Sequence, residues 1–398
     1  MGMEFRPYYL AREWQKMGHK VRIVAADFSH LRKKNPEVQR DFELQTIDGI
    51  EYQWIRTGRY EGNGLARAKT MFEFCGKLNL NARRIAKDFE PDAVIASSTY
   101  PLDTYPAQRI AGIAGCKYIH EAHDLWPLTL TEIGGMNPAN PFVIMLAAAE
   151  RAAYSRADKV VSLFPFAYKH MLTHGLQSMD KFVYIPNGIV TEDWENAADM
   201  PEEHKEALSR FKNEGRFIVL YLGGHALSNA LDVLIDAAEK TAADSGIAYV
   251  LVGKGVEKER LIGRARERGL DNVVFLPPVE KLQVPAVLQQ ADTLYVGTVS
   301  SPLYRFGISL NKIYDYLMAG VPVISGIEAP NNDVAEAGCG ITIRPDDPDD
   351  LVRAIAEIRE MSPEERRQLG DNGRIYVMEK YDYKVIAKQF MEIIEGGN

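Results

Sequence analysis

The sequence predicts an α/β protein made of two Rossmann-like domains. Its length of 398 residues suits two domains of ordinary size. Short apolar runs alternate with segments of helical periodicity in both halves, which is the pattern of parallel βαβ units. The alternation is interrupted by a polar, acidic stretch over 191–215 and then restarts. We interpret that stretch as a linker, which gives an N-terminal domain over 1–187 and a C-terminal domain over 188–380.

The first half is expected to begin with a helix over 4–17, and a long helix ends near Lys87. Strands are expected over 20–26, 50–55, 93–97, 117–122, 159–163 and 182–185, and further helices over 107–114, 141–155 and 166–174. No strand precedes the first helix, although a doubly wound sheet normally opens with a central one. We therefore expect that the first strand of this domain is missing, through a misplaced start codon or a truncation. The DNA upstream of Met1 tests this expectation.

The second half repeats the same alternation and ends in two long helices. Its strands are expected over 217–222, 249–252, 273–276, 293–296, 321–324 and 341–343. Ligands bind at the carboxyl ends of such parallel strands. Two facing domains of this kind would direct those ends into a shared cleft.

Composition excludes several classes of protein. The three cysteines, Cys75, Cys116 and Cys339, are too scattered for a disulfide framework, which favours a reducing cytosol. The net charge of −8 argues against general nucleic-acid binding. Basic residues are nevertheless enriched in the first half, several of them on the helix that ends near Lys87. They form either a solvated face over a core stripe or a surface that rests on anionic lipid.

The stretch over 306–326 carries the strongest functional pattern. It predicts a loop, a helix capped by Ser309 and ended by Gly320, and a buried strand. A helix that begins in a glycine-containing loop offers backbone amides to a phosphate, and Lys312 adds a cation in the first turn. Asp315 lies on the same side, where its carboxylate could accept both hydroxyls of a ribose. The pattern indicates a nucleotide site, or otherwise an ordinary loop with solvated charges.

Two glycine turns follow strands of the second half. Gly223 and Gly224 end the strand over 217–222, and Gly253 and Gly255 flank Lys254 after the next one. Small residues at these positions let a phosphate or a nucleobase approach the backbone. The alternative is that both pairs are simply tight turns.

Ionisable side chains gather where the strand over 117–122 ends. The order His120-Glu121-Ala122-His123-Asp124-Leu125-Trp126-Pro127 suits acid–base or substrate-orienting roles. His120 and His123 are spaced for a metal, but no third ligand follows at a workable distance, so we expect none.

Taken in order, these motifs resemble one family. HDLWP over 123–127, IPNG over 185–188, YLGG over 221–224, LVGKG over 251–255, S-x-x-K-x-x-D-Y over 309–316 and AGVPVI over 319–324 are similar to the retaining family-4 glycosyltransferases of the GT-B fold. The resemblance covers nearly the whole chain and is greatest to the branch that uses amino or deoxy sugars for bacterial surface polysaccharides. It implies that a C-terminal helix over 381–398 crosses back to the first domain.

The resemblance also implies roles for individual residues. On the nucleotide-sugar side these are Asp315 at the ribose, the glycine turns, and a diphosphate clamp made of Lys312, Ser309 and the amides of Gly307 to Leu310, with Arg305 as a further candidate. Gly307 stands where the family has its first acidic residue, and His225, Ala226, Leu227 and Ser228 stand where it commonly has an Arg/Lys pair. Near the reacting carbon it implies His123 or Asp124, with His120 and Trp126 on the acceptor side.

The activity implied is retaining, metal-independent transfer of a sugar from a nucleotide donor, expected to be a UDP-sugar, with no cofactor. The acceptor would be a saccharide or a polyprenyl-linked sugar, and the expected location is the cytoplasm, with peripheral contact at the anionic inner face of the membrane. Two alternatives stay open: a sugar-nucleotide epimerase, which would turn over a UDP-sugar alone, and a non-catalytic nucleotide-binding relative, which would bind UDP without turnover.

Overall fold

The computed structural model describes residues 6–30, 32, 34–60, 62 and 64–396, so the expected start of the first helix before Arg6 lies outside them. The chain divides into two compact units: residues 1–187 with 383–398, and residues 188–382. Within the described residues, no helix is long and apolar enough to cross a membrane.

The first unit contains two separate sheets and the helices that cover them. Its elements are α1 Arg6–Lys16, β1 Arg22–Ala26, β2 Glu43–Ile47, β3 Ile50–Ile55, α2 Leu65–Phe89, β4 Ala93–Ala96, α3 Thr104–Ala114, β5 Lys117–Ala122, α4 Leu128–Glu132, α5 Pro141–Arg156, β6 Lys159–Ser162, α6 Tyr168–Met171 and β7 Phe182–Tyr184. One sheet has the order β1-β3-β2 and the other β4-β5-β6-β7. All ladders are parallel except that of β2 with β3.

The strands β1 and β4 contribute to one apolar cluster although they belong to different sheets. Val24 of β1 and Val94 of β4 both pack against a cluster that includes Ile55, Phe74 and Ile110. The ladders of the described residues do not join the two sheets. The expectation of a missing first strand stays a prediction.

The second unit is a single doubly wound sheet. Its elements are α7 Glu192–Glu195, α8 Glu202–Asn213, β8 Phe217–Leu222, α9 Asp232–Lys240, β9 Ile247–Val252, α10 Lys258–Glu267, β10 Val273–Leu276, α11 Val284–Leu288, β11 Thr293–Gly297, α12 Asn311–Met318, β12 Val323–Gly326, α13 Asp333–Ala337, β13 Gly340–Thr342, α14 Pro348–Glu360 and α15 Pro363–Lys380. The order is β10-β9-β8-β11-β12-β13, parallel throughout. Both faces carry buried apolar clusters, as such a sheet requires.

The last helix, α16 Tyr383–Glu395, belongs to the first unit. The indole nitrogen of Trp14 donates to the carbonyl of Ala387 at 3.0 Å, and the rings of Tyr9 and Tyr383 pack with centroids 4.7 Å apart. These contacts fix α16 against α1.

The interpretation of 191–215 as a linker is wrong. This stretch holds α7 and α8, and α8 buries His204, Leu208 and Phe211 at helical spacing. Leu208 and Phe211 belong to the core of the second unit. A mostly polar composition concealed a helix with one narrow apolar stripe.

Candidate functional site

The second unit presents its candidate site where the strand order reverses. The neighbouring strands β8 and β11 are the first and fourth strands of this sheet in chain order. Their chains leave in opposite directions, which opens a crevice at the carboxyl ends of the strands. The loop after β8 begins with Gly223 and Gly224, and α12 follows β11. The sequence-predicted nucleotide residues therefore come together at the topological switch point.

Helix α12 begins later than predicted. It starts at Asn311 with Leu310 as its N-cap, so the prediction that Ser309 caps it is wrong. The hydroxyl of Ser309 lies instead 3.1 Å from the hydroxyl of Tyr314. Tyr316, on the buried side of the helix, bonds both the N–H and the C=O of Leu222, at 2.8 and 3.0 Å. This pair of bonds fixes α12 to the end of β8.

Lys312 lies in the first turn of α12 and points towards β8. Its ammonium donates to the Tyr221 hydroxyl at 2.9 Å and to the side-chain oxygen of Asn229, and it lies 4.9 Å from the centre of the Tyr221 ring. Burial lowers its pKa to about 8. Among the described residues no carboxylate lies within ion-pair distance of this nitrogen. It is a desolvated cation without a counter-anion.

The partners of Lys312 are held by one backbone carbonyl. The hydroxyl of Tyr221 and the side-chain nitrogen of Asn229 both donate to the Gly224 oxygen, each at 2.8 Å. The position of the cation is therefore fixed through two neutral side chains. Sequence reasoning missed Tyr221 and Asn229, because neither belongs to a charged motif.

The two glycine turns pack against each other. A Cβ on Gly253 would lie 1.9 Å from the Gly223 oxygen, and one on Gly255 would lie 2.2 Å from the His225 oxygen. Gly253 also has a φ of +148°. Glycine at 253 and 255 is thus required by contact between the loops, whereas nothing lies within 4 Å of a Cβ on Gly224.

His225 is a buried residue of this site to which sequence reasoning gave no role. Its side chain is fully buried, and neither ring nitrogen has a hydrogen-bond partner. Burial, together with the charges of Lys258 and Lys312, lowers its pKa to about 4. The residue is neutral at physiological pH, so it adds no charge where the family commonly has basic residues.

Asp315 lies one turn after Lys312 but is already paired. Lys281 donates to both of its carboxylate oxygens, each at 2.7 Å. The Asp315 side chain is 15% exposed and that of Lys281 is 43% exposed. Ribose hydroxyls could donate hydrogen bonds to the Asp315 carboxylate only if the lysine moved aside.

Two backbone amides of the predicted diphosphate clamp already donate hydrogen bonds to acceptors of the protein itself. The Gly307 N–H donates to the Tyr304 carbonyl at 2.9 Å, and the Ile308 N–H donates to the Asn331 side chain at 2.8 Å. Gly307 has a φ of +101°, a conformation that an acidic side chain would adopt only with strain. Arg305 is exposed, donates to the Pro302 carbonyl and stacks on Phe306 with 4.3 Å to the ring centre.

In the first unit, a buried carboxylate organises the end of β5. Glu121 is 1% exposed and bonds Arg6 at 2.7 Å, while Arg6 also donates to the carbonyls of Ile185 and Pro186. Burial acts to raise the pKa of Glu121, but the charges of Arg6 and His123 outweigh it and hold the pKa far below its usual range. Glu121 is therefore an ionised acceptor.

The Glu121 carboxylate decides which ring nitrogen of His123 carries a proton. Its Nε2 lies 2.9 Å from Glu121 and 2.9 Å from the Ser97 hydroxyl, which itself donates to Glu121. Because both neighbours accept, Nε2 carries a proton, and in the neutral form of the ring Nδ1 carries the lone pair. No described residue bonds Nδ1, and the side chain is 17% exposed. In that neutral form, Nδ1 is available as a hydrogen-bond acceptor.

Sequence reasoning left open whether His123 or Asp124 lies near the reacting carbon. The structure gives the two side chains different surroundings. The Asp124 oxygens accept from the Leu125 N–H at 2.8 Å, the Thr129 hydroxyl at 2.6 Å and the Trp126 indole at 3.2 Å. Asp124 therefore holds its own loop together. Trp126 is part of that loop, and the Arg67 guanidinium lies 5.8 Å from its ring centre.

His120 and Asp103 lie nearby but differ in their chemistry. His120 is 4% exposed, its Nδ1 is without a partner, and burial lowers its pKa to about 4. It packs edge-on against Tyr154. Asp103, which sequence reasoning missed, is also buried, and burial raises its pKa to about 6. A titrating acid and His123 influence each other electrostatically here.

Comparisons with known proteins agree with this arrangement. Residues 1–188 match the model of the glycosyl transferase 4-like domain, and residues 202–376 match that of the glycosyl transferases group 1. The putative colanic acid biosynthesis glycosyl transferase WcaI of Escherichia coli (strain K12) is 22% identical over 402 residues, which are 96% of this chain and 94% of that protein.

Two solved structures share the fold at low identity. Anabaena HepE in complex with UDP and glucose aligns with a TM-score of 0.64 and 16% identity, covering 88% of this chain and 87% of that one. Sucrose-phosphate synthase from Thermosynechococcus elongatus aligns at 0.69 and 19% identity, covering 96% and 90%. The doubly wound second unit, the α16 helix that returns to the first unit, and matches to both domain models lead to one conclusion. The chain belongs to the family-4 glycosyltransferases of the GT-B fold.

Proposed function

We propose that this glycosyltransferase moves a sugar from a UDP-linked donor, with retention, to a saccharide or polyprenyl-linked acceptor in the synthesis of a cell-surface polysaccharide. The observation that carries the proposal is Lys312, a desolvated cation at the switch point of the second unit that has no counter-anion among the described residues. HepE, which has the same fold, binds UDP and glucose, and WcaI is named for colanic acid biosynthesis.

The leaving diphosphate explains why the site needs such a cation. When a glycosyl–phosphate bond breaks, positive charge grows on the sugar ring and negative charge grows on the departing phosphate. A cation already in place stabilises that phosphate without reorganisation, and one lost donor of this kind typically costs about 10²–10³ in rate. Lys312 supplies the charge, and Tyr221 and Asn229 hold it in position.

The same arrangement supports transfer without a metal. In this proposal Lys312 takes the part that a divalent cation has in other nucleotide-sugar enzymes, and the α12 amino end adds its dipole. Departing phosphate then assists deprotonation of the acceptor hydroxyl on the same face of the sugar, which would give retention. His123 accepts a hydrogen bond from a sugar hydroxyl through Nδ1 and so orients the reacting partner.

Membrane contact is part of the proposal and concerns α2. Leu65 and Leu80 are 90% and 83% exposed on this helix, and Phe72 is 47% exposed. Lys77 is neutralised by Asp41 and Glu73, and Arg84 is paired with Asp88. The helix also carries Arg67, Lys69, Arg83 and Lys87. Exposed apolar side chains among basic residues suit the anionic cytoplasmic face of a membrane that holds a lipid-linked acceptor.

Calorimetric titration with UDP tests the proposal, with GDP and ADP as controls. We expect selective UDP binding that Lys312→Ala weakens together with turnover, while Lys212→Ala, an exposed lysine of α8 in the same unit, changes neither. Equal binding of the three nucleotides would contradict the choice of UDP, and unchanged binding by Lys312→Ala would remove Lys312 from the site.

Product analysis separates the remaining alternatives. Transfer with retention predicts an acceptor product whose anomeric configuration matches the donor, measured by NMR. Conversion of a UDP-sugar in the absence of any acceptor would indicate an epimerase. UDP binding with no turnover on any lipid-linked or saccharide acceptor would indicate a non-catalytic relative. The glycine at 307 and the pairing of Asp315 with Lys281 would be consistent with that outcome.

A further inference from the structure

A second cluster of ionisable side chains lies in the first unit, and none of its members has been given a role above. It consists of Glu150 on α5, His170 on α6 and His174, which follows α6. One donor atom from each lies within 4.8 Å of the others. Glu150 is 1% exposed and His170 is 7% exposed. Two imidazoles and a carboxylate are a common ligand set for zinc and related transition metals.

The two histidines are in direct contact. They are one helical turn apart, and their rings stack with centroids 3.8 Å apart and an interplanar angle of 21°. Nε2 of His170 already points at Glu150, with 2.7 Å between Nε2 and Oε1.

The tautomer of His174 is fixed by its neighbours. Its Nδ1 lies 2.9 Å from the His170 carbonyl and 2.9 Å from the Thr173 hydroxyl, which donates its own proton to that carbonyl at 2.7 Å. Both neighbours therefore accept, so Nδ1 carries the proton of the neutral ring and Nε2 carries the lone pair. A backbone carbonyl on one ring nitrogen is the usual support for a metal on the other.

The buried negative charge of Glu150 has few groups nearby that compensate it. Salt bridges of the described residues give Glu150 no lysine or arginine, only His170, and Tyr154 adds a neutral hydrogen bond at 3.1 Å. A buried carboxylate with so little compensation is costly. A divalent ion between Glu150 and the two histidines would supply the missing positive charge.

We infer that Glu150, His170 and His174 form a three-residue site for a divalent transition metal such as Zn²⁺, which ties α5 to α6. Zinc–ligand bonds of about 2.0–2.2 Å require donor atoms roughly 3.3 Å apart, so the imidazoles rotate out of their stacked arrangement when they bind the ion. The metal takes the place of the proton between His170 and Glu150, so its affinity falls as the pH is lowered. The site involves neither Lys312 nor His123, so it is independent of the proposed transfer.

Cobalt and zinc titrations of the full chain, without an affinity tag, test the inference. We expect wild-type protein to bind Co²⁺ with visible ligand-field absorption, and Zn²⁺ to displace it. His174→Ala removes a partly exposed ligand without opening the core, and it should weaken binding by at least about tenfold. His19→Ala is the matched control, because His19 is also a histidine beside a glutamate, Glu395, at 3.9 Å.

Thermal unfolding gives a second measurement that does not depend on activity. Zn²⁺ should raise the melting temperature of wild-type protein and of His19→Ala, but not that of His174→Ala. Absence of Co²⁺ binding by wild-type protein, or an equal zinc effect in wild type and His174→Ala, would overturn the inference.

Discussion

The affinity of the enzyme for UDP should depend on pH through Lys312. Burial lowers the pKa of this lysine to about 8 in the free protein. A bound diphosphate favours the charged ammonium and so raises that pKa. Binding is therefore coupled to proton uptake whenever the free lysine is neutral, and the affinity should fall as the pH rises above about 8.

The magnitude follows from one proton. Each pH unit above the free pKa costs about 1.4 kcal/mol of binding free energy, or about a tenfold weaker dissociation constant. Between pH 7 and pH 8 the change should be no more than about twofold, because at least about half of the lysine is protonated over that range. The diphosphate of UDP does not limit this window, because a phosphate's second pKa is about 6.

Calorimetry at several pH values measures this dependence, with Lys312→Arg as the control. An arginine stays charged throughout, so its residual pH dependence reports titration of the nucleotide itself. We expect wild type to lose affinity relative to Lys312→Arg above pH 8. Parallel curves for the two proteins up to pH 9.5, roughly one and a half units above the lysine pKa, would refute a contact between Lys312 and the diphosphate.

Three further predictions concern Lys281 in the second unit and Arg6 and His123 in the first. Lys281→Met should tighten UDP binding by up to about fivefold, because the competing ion pair with Asp315 is partly exposed and such pairs contribute at most about 1 kcal/mol; weaker binding would mean that Lys281 contacts the nucleotide. Arg6→Met should lower the free energy of unfolding by about 3–5 kcal/mol in urea, because it leaves the buried Glu121 charge unpaired, and adding Glu121→Gln should recover part of the loss. His123→Ala should lower kcat by about 10²-fold or more without changing the UDP dissociation constant; a change in the dissociation constant alone would place His123 outside the reaction.

Strands buried on both faces were predictable from sequence. The expected ranges of β3, β5 and β8 agree with the structure. The clearest signal is that of β8, a continuous apolar run of the kind buried in a parallel sheet. The strand β2 was missed, because Glu43–Ile47 lies at a sheet edge and its residues alternate between half-buried and exposed. Its signal was the Asp48-Gly49 pair, whose φ values of +50° and +82° are those of a tight hairpin turn.

The candidate site was predictable only in part. A short motif could indicate Lys312 and Asp315, because their spacing on one helix is local. Their partners come from distant segments: Tyr221 is 91 residues from Lys312, and Lys281 is 34 from Asp315. Glu121 likewise meets Arg6 across 115 residues. Which charges are neutralised is decided by tertiary contacts that no local pattern contains.

The contact between the glycine turns sets a limit on how this enzyme could be redesigned. A side chain at 253 or 255 would separate two loops that now touch through their backbones, so variation there would lose the fold of the site before it altered donor choice. Gly224 differs, because a Cβ there meets open space and its φ is not positive. A library aimed at a different nucleotide or a tighter diphosphate would therefore be built at Gly224, where an added cation could join Lys312 and leave the two packed turns intact.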